Sequence, residues 1–267
     1  MKKGSLFFLL LLIANFCLAQ KNLIIGKTYE LPSKILNENR VLNIYTPEGY
    51  HPDSTKTYPV IYLLDGSVNE DFIHITGLVQ FLTMIEAMPK SIIVGIANVD
   101  RRKDFTFPTT IVKDKTDFPT TGSSTKFINF LAEELQPFVE NNFKTNESKT
   151  VIGQSFGALL ATEILIKRAH IFNNYIIVSP SLWWDNESLL NHVDDKINRQ
   201  KISNINVFIA VGEEGKVMKE DAKKLAESLL KSKGLKVSFE FFEKENHLTI
   251  LHNSIYQTLL KMYAKGK

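Results

Sequence analysis

The chain has 267 residues, 44% of them hydrophobic, and shows no internal repeat or low-complexity tract; that length suits one sizeable α/β domain with a substantial core and leaves little room for a second. Its formal net charge is +3, from 32 Lys and Arg interspersed with 29 Asp and Glu. Charge therefore gives no reason to expect nucleic acid or an anionic membrane as a partner. The single cysteine, Cys17, falls in an N-terminal leader, so disulfides, thiol chemistry and cysteine metal sites are excluded from the rest of the chain.

That leader comes first in chain order. Lys2 and Lys3 precede an apolar stretch from Leu6 to Ile13, and Cys17-Leu18-Ala19 precede Gln20. This is the pattern of a secretory signal peptide over residues 1–19, with cleavage expected between Ala19 and Gln20. The apolar part is too short to favour a spanning helix, so a secreted or periplasmic protein without integral membrane association is expected after its removal. Cys17 as a lipid attachment site is the alternative, and bulky Phe16 before it fits that poorly. Removal takes away Lys2 and Lys3 and no acid, leaving a net charge of +1. Residues 20–267 are expected to form a single domain.

The spacing predicts strands at Val41–Tyr45, Val60–Leu64, Ile92–Ile96, Thr150–Ile152, Tyr175–Val178, Val207–Val211 and Val237–Phe242. The later ones are almost wholly apolar, as in a parallel sheet buried on both faces. Helical spacing appears from Ser124 to Asn142 and from Asp221 to Lys233, and the alternation of strand and helix predicts crossover connections rather than a sandwich. In such sheets ligands lie at the carboxyl ends of strands, which directs attention to the residues following each one. The irregular stretch from Asn98 to Ser123 is long enough to be read as a loop over the site, with disorder as the alternative.

After Val60–Leu64 comes Asp65-Gly66-Ser67, where Gly66 permits a tight turn near a substrate; a plain strand-end turn is the alternative. After Thr150–Ile152 comes Gly153-Gln154-Ser155-Phe156-Gly157, followed by an apolar helical run from Ala158 to Lys167. Strand, Gly-x-Ser-x-Gly and helix together make a nucleophile elbow, which presents Ser155 on a strained turn. The Phe156 N–H is the expected first oxyanion donor and Ser67 the candidate for the second. After Tyr175–Val178 come Trp183 and Trp184, an aromatic wall for a planar acyl group, with core packing of one of them equally open. After Val207–Val211 come Glu213 and Glu214, and Glu214 is the first choice for the triad acid, ahead of Glu213 and Asp221. Of six histidines, His247 alone follows a late strand and gives the order serine, acid, histidine, so it is the expected base; His252 reads as a surface residue of the next helix. Arg101 and Arg102 either contact an anionic substrate or brace the loop by pairing with Asp100 or Asp104.

Assembled, these residues resemble the putative-esterase branch of the α/β-hydrolases, the group of esterase D and enterochelin-esterase-like enzymes. The matching segments are Tyr62 to Gly66, Asn98 to Thr106, Val151 to Gly157, Ser179-Pro180-Ser181-Leu182-Trp183-Trp184, Gly212 to Met218 and Asn246-His247. The resemblance implies an α/β-hydrolase fold, a mostly parallel central sheet flanked by helices on both faces. It also implies Ser155 as nucleophile, His247 as base and an acid in the Glu213-Glu214 segment. Asp65, Gly66, Trp183, Trp184, Arg101 and Arg102 are the candidates for substrate contact. The loop after Leu64 lacks the triple glycine of many lipases, and related siderophore esterases vary in the acid.

The expected activity is hydrolysis of a carboxylic ester through an acyl-enzyme, with no metal or organic cofactor. A small-molecule or carbohydrate ester is the expected partner: a siderophore trilactone, an acetylated or feruloylated polysaccharide, or a small thioester. An acyltransferase, or a binding protein on the same scaffold, are the competing readings. Oligomeric state is left open.

Overall fold

The apolar runs of the sequence become the middle of one eight-stranded sheet. A computed structural model describes residues 21–200 and 202–264, so the leader and its cleavage site lie outside the described residues. The strands are β1 (Lys27–Ser33), β2 (Glu38–Tyr45), β3 (Tyr58–Leu63), β4 (Ile92–Ile96), β5 (Thr145–Gln154), β6 (Asn174–Val178), β7 (Ile205–Gly212) and β8 (Leu235–Phe242), in the order β1-β2-β4-β3-β5-β6-β7-β8. β1 and β2 are antiparallel to their neighbours, and every pairing from β4 across to β8 is parallel. The helices are α1 (Phe72–Met84), α2 (Arg101–Phe105), α3 (Val112–Asp117), α4 (Ser124–Phe130), α5 (Gln136–Asn142), α6 (Phe156–Arg168), α7 (Trp184–Glu187), α8 (Val193–Asn198), α9 (Lys216–Leu230) and α10 (Ile250–Met262). This is the α/β-hydrolase fold. Among the described residues no helix is long and apolar enough to cross a membrane.

Side chains alternate along each central strand, which divides the core into two layers. Tyr62, Val94, Val151, Tyr175, Ile177, Val207 and Ile209 face the layer that contains α4, α5, α6, α8 and α9. Ile61, Leu63, Ile93, Ile152, Ile176, Val178 and Ala210 face α1 and α10. Residues of β3, β4 and β6 are buried throughout, as expected of strands covered on both sides.

Three elements depart from the expectation. β1 was absent from the strand pattern, because an antiparallel edge strand reading Lys-Thr-Tyr-Glu-Leu-Pro-Ser sets only alternate side chains against the core. β8 is the opposite edge rather than a strand buried on both faces, with Phe239 and Phe241 37% and 43% exposed. The expected helix from Ser124 to Asn142 has a π-helical turn at Leu131–Leu135. Pro137 follows it, and a proline offers no N–H to the carbonyl four residues back and crowds it, so the turn there widens.

Candidate active site

Strand β5 ends directly in α6, and Ser155 occupies the junction with φ 58° and ψ −119°. A non-glycine residue is held in that region only when its surroundings over-determine it. Here the Ser155 N–H donates to the Val178 carbonyl (3.0 Å), while its own carbonyl accepts from Leu159 (2.9 Å) and Ser181 (3.2 Å). Strand and helix nearly touch, since a Cβ on Gly153 would lie 2.4 Å from the Gly157 carbonyl oxygen. The Phe156 N–H opens the helix and so lacks an intrahelical acceptor, leaving it available to negative charge beside Ser155.

His247 reaches the same end of the sheet from the turn between β8 and α10. Its Nδ1 lies 2.6 Å from Glu214 Oε2. The other oxygen, Oε1, accepts from the Ser179 hydroxyl (2.5 Å) and the Gly212 N–H (2.9 Å). Burial works to raise the Glu214 carboxyl pKa, but the hydrogen bonds from His247, Ser179 and Gly212 outweigh it and hold the group below its ordinary value. Glu214, the first-choice acid, is thus the carboxylate beside the imidazole. Glu213 turns outward to Lys219 (2.5 Å), and Asp221 is buried in α9 with Lys224 at 3.8 Å.

The Gln154 side chain donates to the His247 carbonyl (2.5 Å), fastening the imidazole's turn to the residue before Ser155. In this structure the Ser155 hydroxyl lies 3.2 Å from Ser181 Oγ and is not hydrogen-bonded to His247. Gln154, Ser179 and Ser181 lie in the elbow and in the segment after β6 quoted above, but the sequence assigned none of them a role. The available signal was position: each immediately precedes the elbow serine or follows a central strand at its carboxyl end.

The loop after β3 contains the other expected contacts. Gly66 presses on β4, where a Cβ would come within 2.4 Å of the Gly95 Cα. The Ser67 N–H, the second oxyanion candidate, donates to Glu70 Oε2 (3.2 Å), and the Glu70 N–H donates to the Ser67 carbonyl (3.1 Å). The two bonds close a four-residue turn from Ser67 to Glu70 just before α1, in which the Glu70 carboxylate occupies the Ser67 N–H. An oxyanion using that N–H must take the place of the Glu70 carboxylate.

Asp65 is engaged by protein groups: Arg101 binds it through Nε (2.6 Å) and Nη2 (2.9 Å), and Asn98 donates to it (2.7 Å). Arg101 Nη2 also donates to the Gln154 carbonyl (3.1 Å). Arg101 therefore braces the loop, as one of the two readings held, but through Asp65 rather than Asp100 or Asp104. Asp100 caps α2 by accepting from the Lys103 N–H (3.0 Å), and Asp104 is buried against Arg40 (2.7 Å). Arg102 is exposed, with its guanidinium 5.1 Å from the Phe118 ring centre.

The two tryptophans divide. Trp184 is fully buried and donates its indole N–H to the Phe107 carbonyl (2.9 Å), so it is core rather than rim. Trp183 is half-buried, and its ring packs with those of Phe156 (5.7 Å) and Phe118 (6.2 Å). The long Asn98–Ser123 segment is ordered by α2, α3 and Phe118, and Phe118 meets the Phe156 ring edge-on at 5.5 Å. Among the described residues no group of three or more His, Cys, Asp or Glu is arranged to hold a metal ion.

An elbow serine with a histidine–carboxylate pair at the carboxyl ends of a mostly parallel sheet defines a hydrolase of the α/β class. The chain belongs to the Putative esterase family, whose model matches residues 33–253, and it is an esterase. It is 31% identical to the ferri-bacillibactin esterase BesA of Bacillus subtilis over 241 residues, spanning 80% of this chain and 82% of that one. Among solved structures it resembles an IroE-like serine hydrolase from Shewanella oneidensis (30% identity, TM-score 0.83, 89% of this chain and 80% of that one). A further match is the BES protein from Bacillus cereus (30% identity, TM-score 0.78, 91% and 97%).

Proposed function

We propose that the protein is an exported serine esterase that cleaves siderophore esters through an acyl-enzyme on Ser155. The observation that carries the mechanism is the 2.6 Å contact between His247 Nδ1 and Glu214, which fixes the tautomer that leaves Nε2 free to accept a proton. The Ser155 O–H turns its proton toward His247 before attack while Ser155 Oγ keeps its contact with Ser181, consistent with the looser geometry of catalytic hydrogen bonds before substrate binds. Ser155 Oγ then bonds to the ester carbonyl carbon as its proton passes to His247 Nε2. The Phe156 N–H stabilises the oxyanion, joined by Ser67 once Glu70 is displaced, and such a donor is worth about 3 kcal/mol. Collapse expels the alcohol, which takes the proton from His247, and water releases the acyl group by the reverse path.

Siderophore specificity is supported by the named relatives and by the chemistry beside Ser155. Phe118 and the half-buried Trp183 offer ring faces, and exposed Arg102 offers a cation, a combination suited to an aromatic, negatively charged acyl group. The basic and apolar leader supports export to the periplasm or the medium. The test is covalent labelling of the purified protein with a fluorophosphonate, followed by turnover of a siderophore trilactone, an acetylated or feruloylated polysaccharide, a small thioester and p-nitrophenyl esters. Labelling that disappears in Ser155→Ala, with preference for the trilactone, is expected. A folded protein that neither labels nor hydrolyses would instead be a binding module. N-terminal sequencing of secreted material starting at Gln20 tests export.

A further inference from the structure

Ser179 and Ser181 flank Pro180 at the carboxyl end of β6, and each reaches a different member of the proposed triad. Ser179 donates to Glu214 Oε1 (2.5 Å), and Ser181 Oγ lies 3.2 Å from Ser155 Oγ. Both are buried, at 0% and 3% exposure, so neither hydroxyl is an incidental surface group. Ser179 has φ 48°, an uncommon conformation for a residue with a side chain and against the extended bias of a residue before proline. Its N–H is anchored to the Ala210 carbonyl (2.8 Å). The strained turn is thereby fixed to β7, from which the acid follows, and the Ser181 N–H fixes it to the Ser155 carbonyl (3.2 Å).

We propose that the Ser179-Pro180-Ser181 turn is a positioning element that aligns the acid and the nucleophile together, so that the nucleophile and the carboxylate that orients its base keep a fixed separation. This rests on the assignment of Ser155, His247 and Glu214 given above. Ser179 engages one carboxylate oxygen and leaves the other to the imidazole. Ser181 retains its own proton and donates it as a hydrogen bond to Ser155 Oγ as that atom loses its proton to His247. That hydrogen bond holds Oγ in place while its lone pair turns to the carbonyl carbon and the negative charge develops on the carbonyl oxygen beside the Phe156 N–H. Because the backbone bonds of both serines survive truncation to alanine, the substitutions remove the hydroxyl contacts and little else.

The test compares Ser179→Ala and Ser181→Ala with the parent protein in fluorophosphonate labelling rate and in kcat and KM for p-nitrophenyl acetate across pH. Ser181→Ala is expected to slow labelling and kcat about tenfold, the order that one lost hydrogen bond produces, with KM little changed. Ser179→Ala makes the Glu214 carboxylate more basic and better able to hold an imidazolium. The acidic limb of kcat/KM is then expected to move to higher pH, a displacement that loss of fold alone does not cause. Ser181→Cys, of similar size and a weaker donor, replaces the alanine variant if that one does not fold. Parent-like kinetics and an unmoved limb in both variants overturn the role of the turn. Failure of the parent itself to label at Ser155 overturns the assignment beneath it, a separately visible result.

Discussion

His247 Nδ1 and Glu214 Oε2 meet at 2.6 Å although 33 positions of chain separate them, and the carboxylate end of the pair is only 2% exposed. A charge buried to that degree is tolerated because His247, Ser179 and the Gly212 N–H all donate to it. Glu214→Gln preserves the shape and removes the charge that stabilises an imidazolium. We expect kcat to fall on the order of a thousandfold, with the protein still folded by circular dichroism. The pH dependence of stability has a defined sign. The folded pKa is depressed, so the stabilisation is present above the unfolded value of about 4.3 and is lost as pH falls through the folded one. Thermal melts of the parent should steepen downward below about pH 4, and those of Glu214→Gln should lack that component. Unchanged turnover would remove Glu214 from the mechanism.

Arg101 ties together the loop after β3 and the elbow, gripping Asp65 with two nitrogens and the Gln154 carbonyl with one of them. A lysine ammonium cannot reproduce that planar fork. Arg101→Lys is therefore expected to lower kcat by about ten- to a hundredfold, because small misplacements of reacting groups are costly. The loss should be equal for neutral and anionic esters. A rise in KM confined to anionic substrates would return Arg101 to the substrate-contact role.

At Gly153 the constraint is steric. An added methyl would meet the Gly157 carbonyl oxygen at 2.4 Å and its carbon at 2.5 Å, both backbone atoms that no rotamer change can move. Gly153→Ala must push α6 away from β5. We expect a stability loss of about 1–3 kcal/mol in urea melts and loss of activity well beyond the fraction unfolded, since Ser155 moves with the helix. A fully active, equally stable variant would mean that the elbow is looser than this contact implies.

The same residues explain what was legible in the sequence. Ser155, Glu214 and His247 could be read because each follows an apolar strand in an order set by the fold, and a glycine frame of this kind has a steric cause. The central strands could be read because burial on both faces makes them uniformly apolar. β1, an edge that sets alternate residues against the core, gave no continuous apolar run, and β8 was legible as a strand but not as the opposite edge. The bond of Gln154 to His247, the Asp65–Arg101 pair and the bonds of Ser179 and Ser181 were hidden, because pairs of side chains far apart in sequence leave no periodicity. Trp183 and Trp184 carried the same signal, yet one step along the chain separates rim from core.

Asp221 offers a contrast with Glu214. It was the third candidate for the acid, and its side chain is 2% exposed, with Oδ2 lacking any hydrogen-bond partner. Burial, aided by the nearby Glu187 carboxylate, raises its pKa to about 6 against the partial opposition of Lys224. The folded protein therefore holds this proton at pH values where the unfolded chain, with a pKa of about 3.9, has released it. Stability falls as pH rises from about 4 to 6 and the deficit persists above that. Asp221→Asn removes the charge, so it should stabilise the protein above pH 6 by an amount on the order of 2 kcal/mol, a few degrees in Tm, and by much less at pH 4. Esterase activity should be retained, because Asp221 contacts Lys224 rather than His247. Stability and turnover measured on the same variant thus separate the two carboxylates: a collapse of activity in Asp221→Asn would make it the acid after all, and a pH-independent change in Tm would contradict the raised pKa.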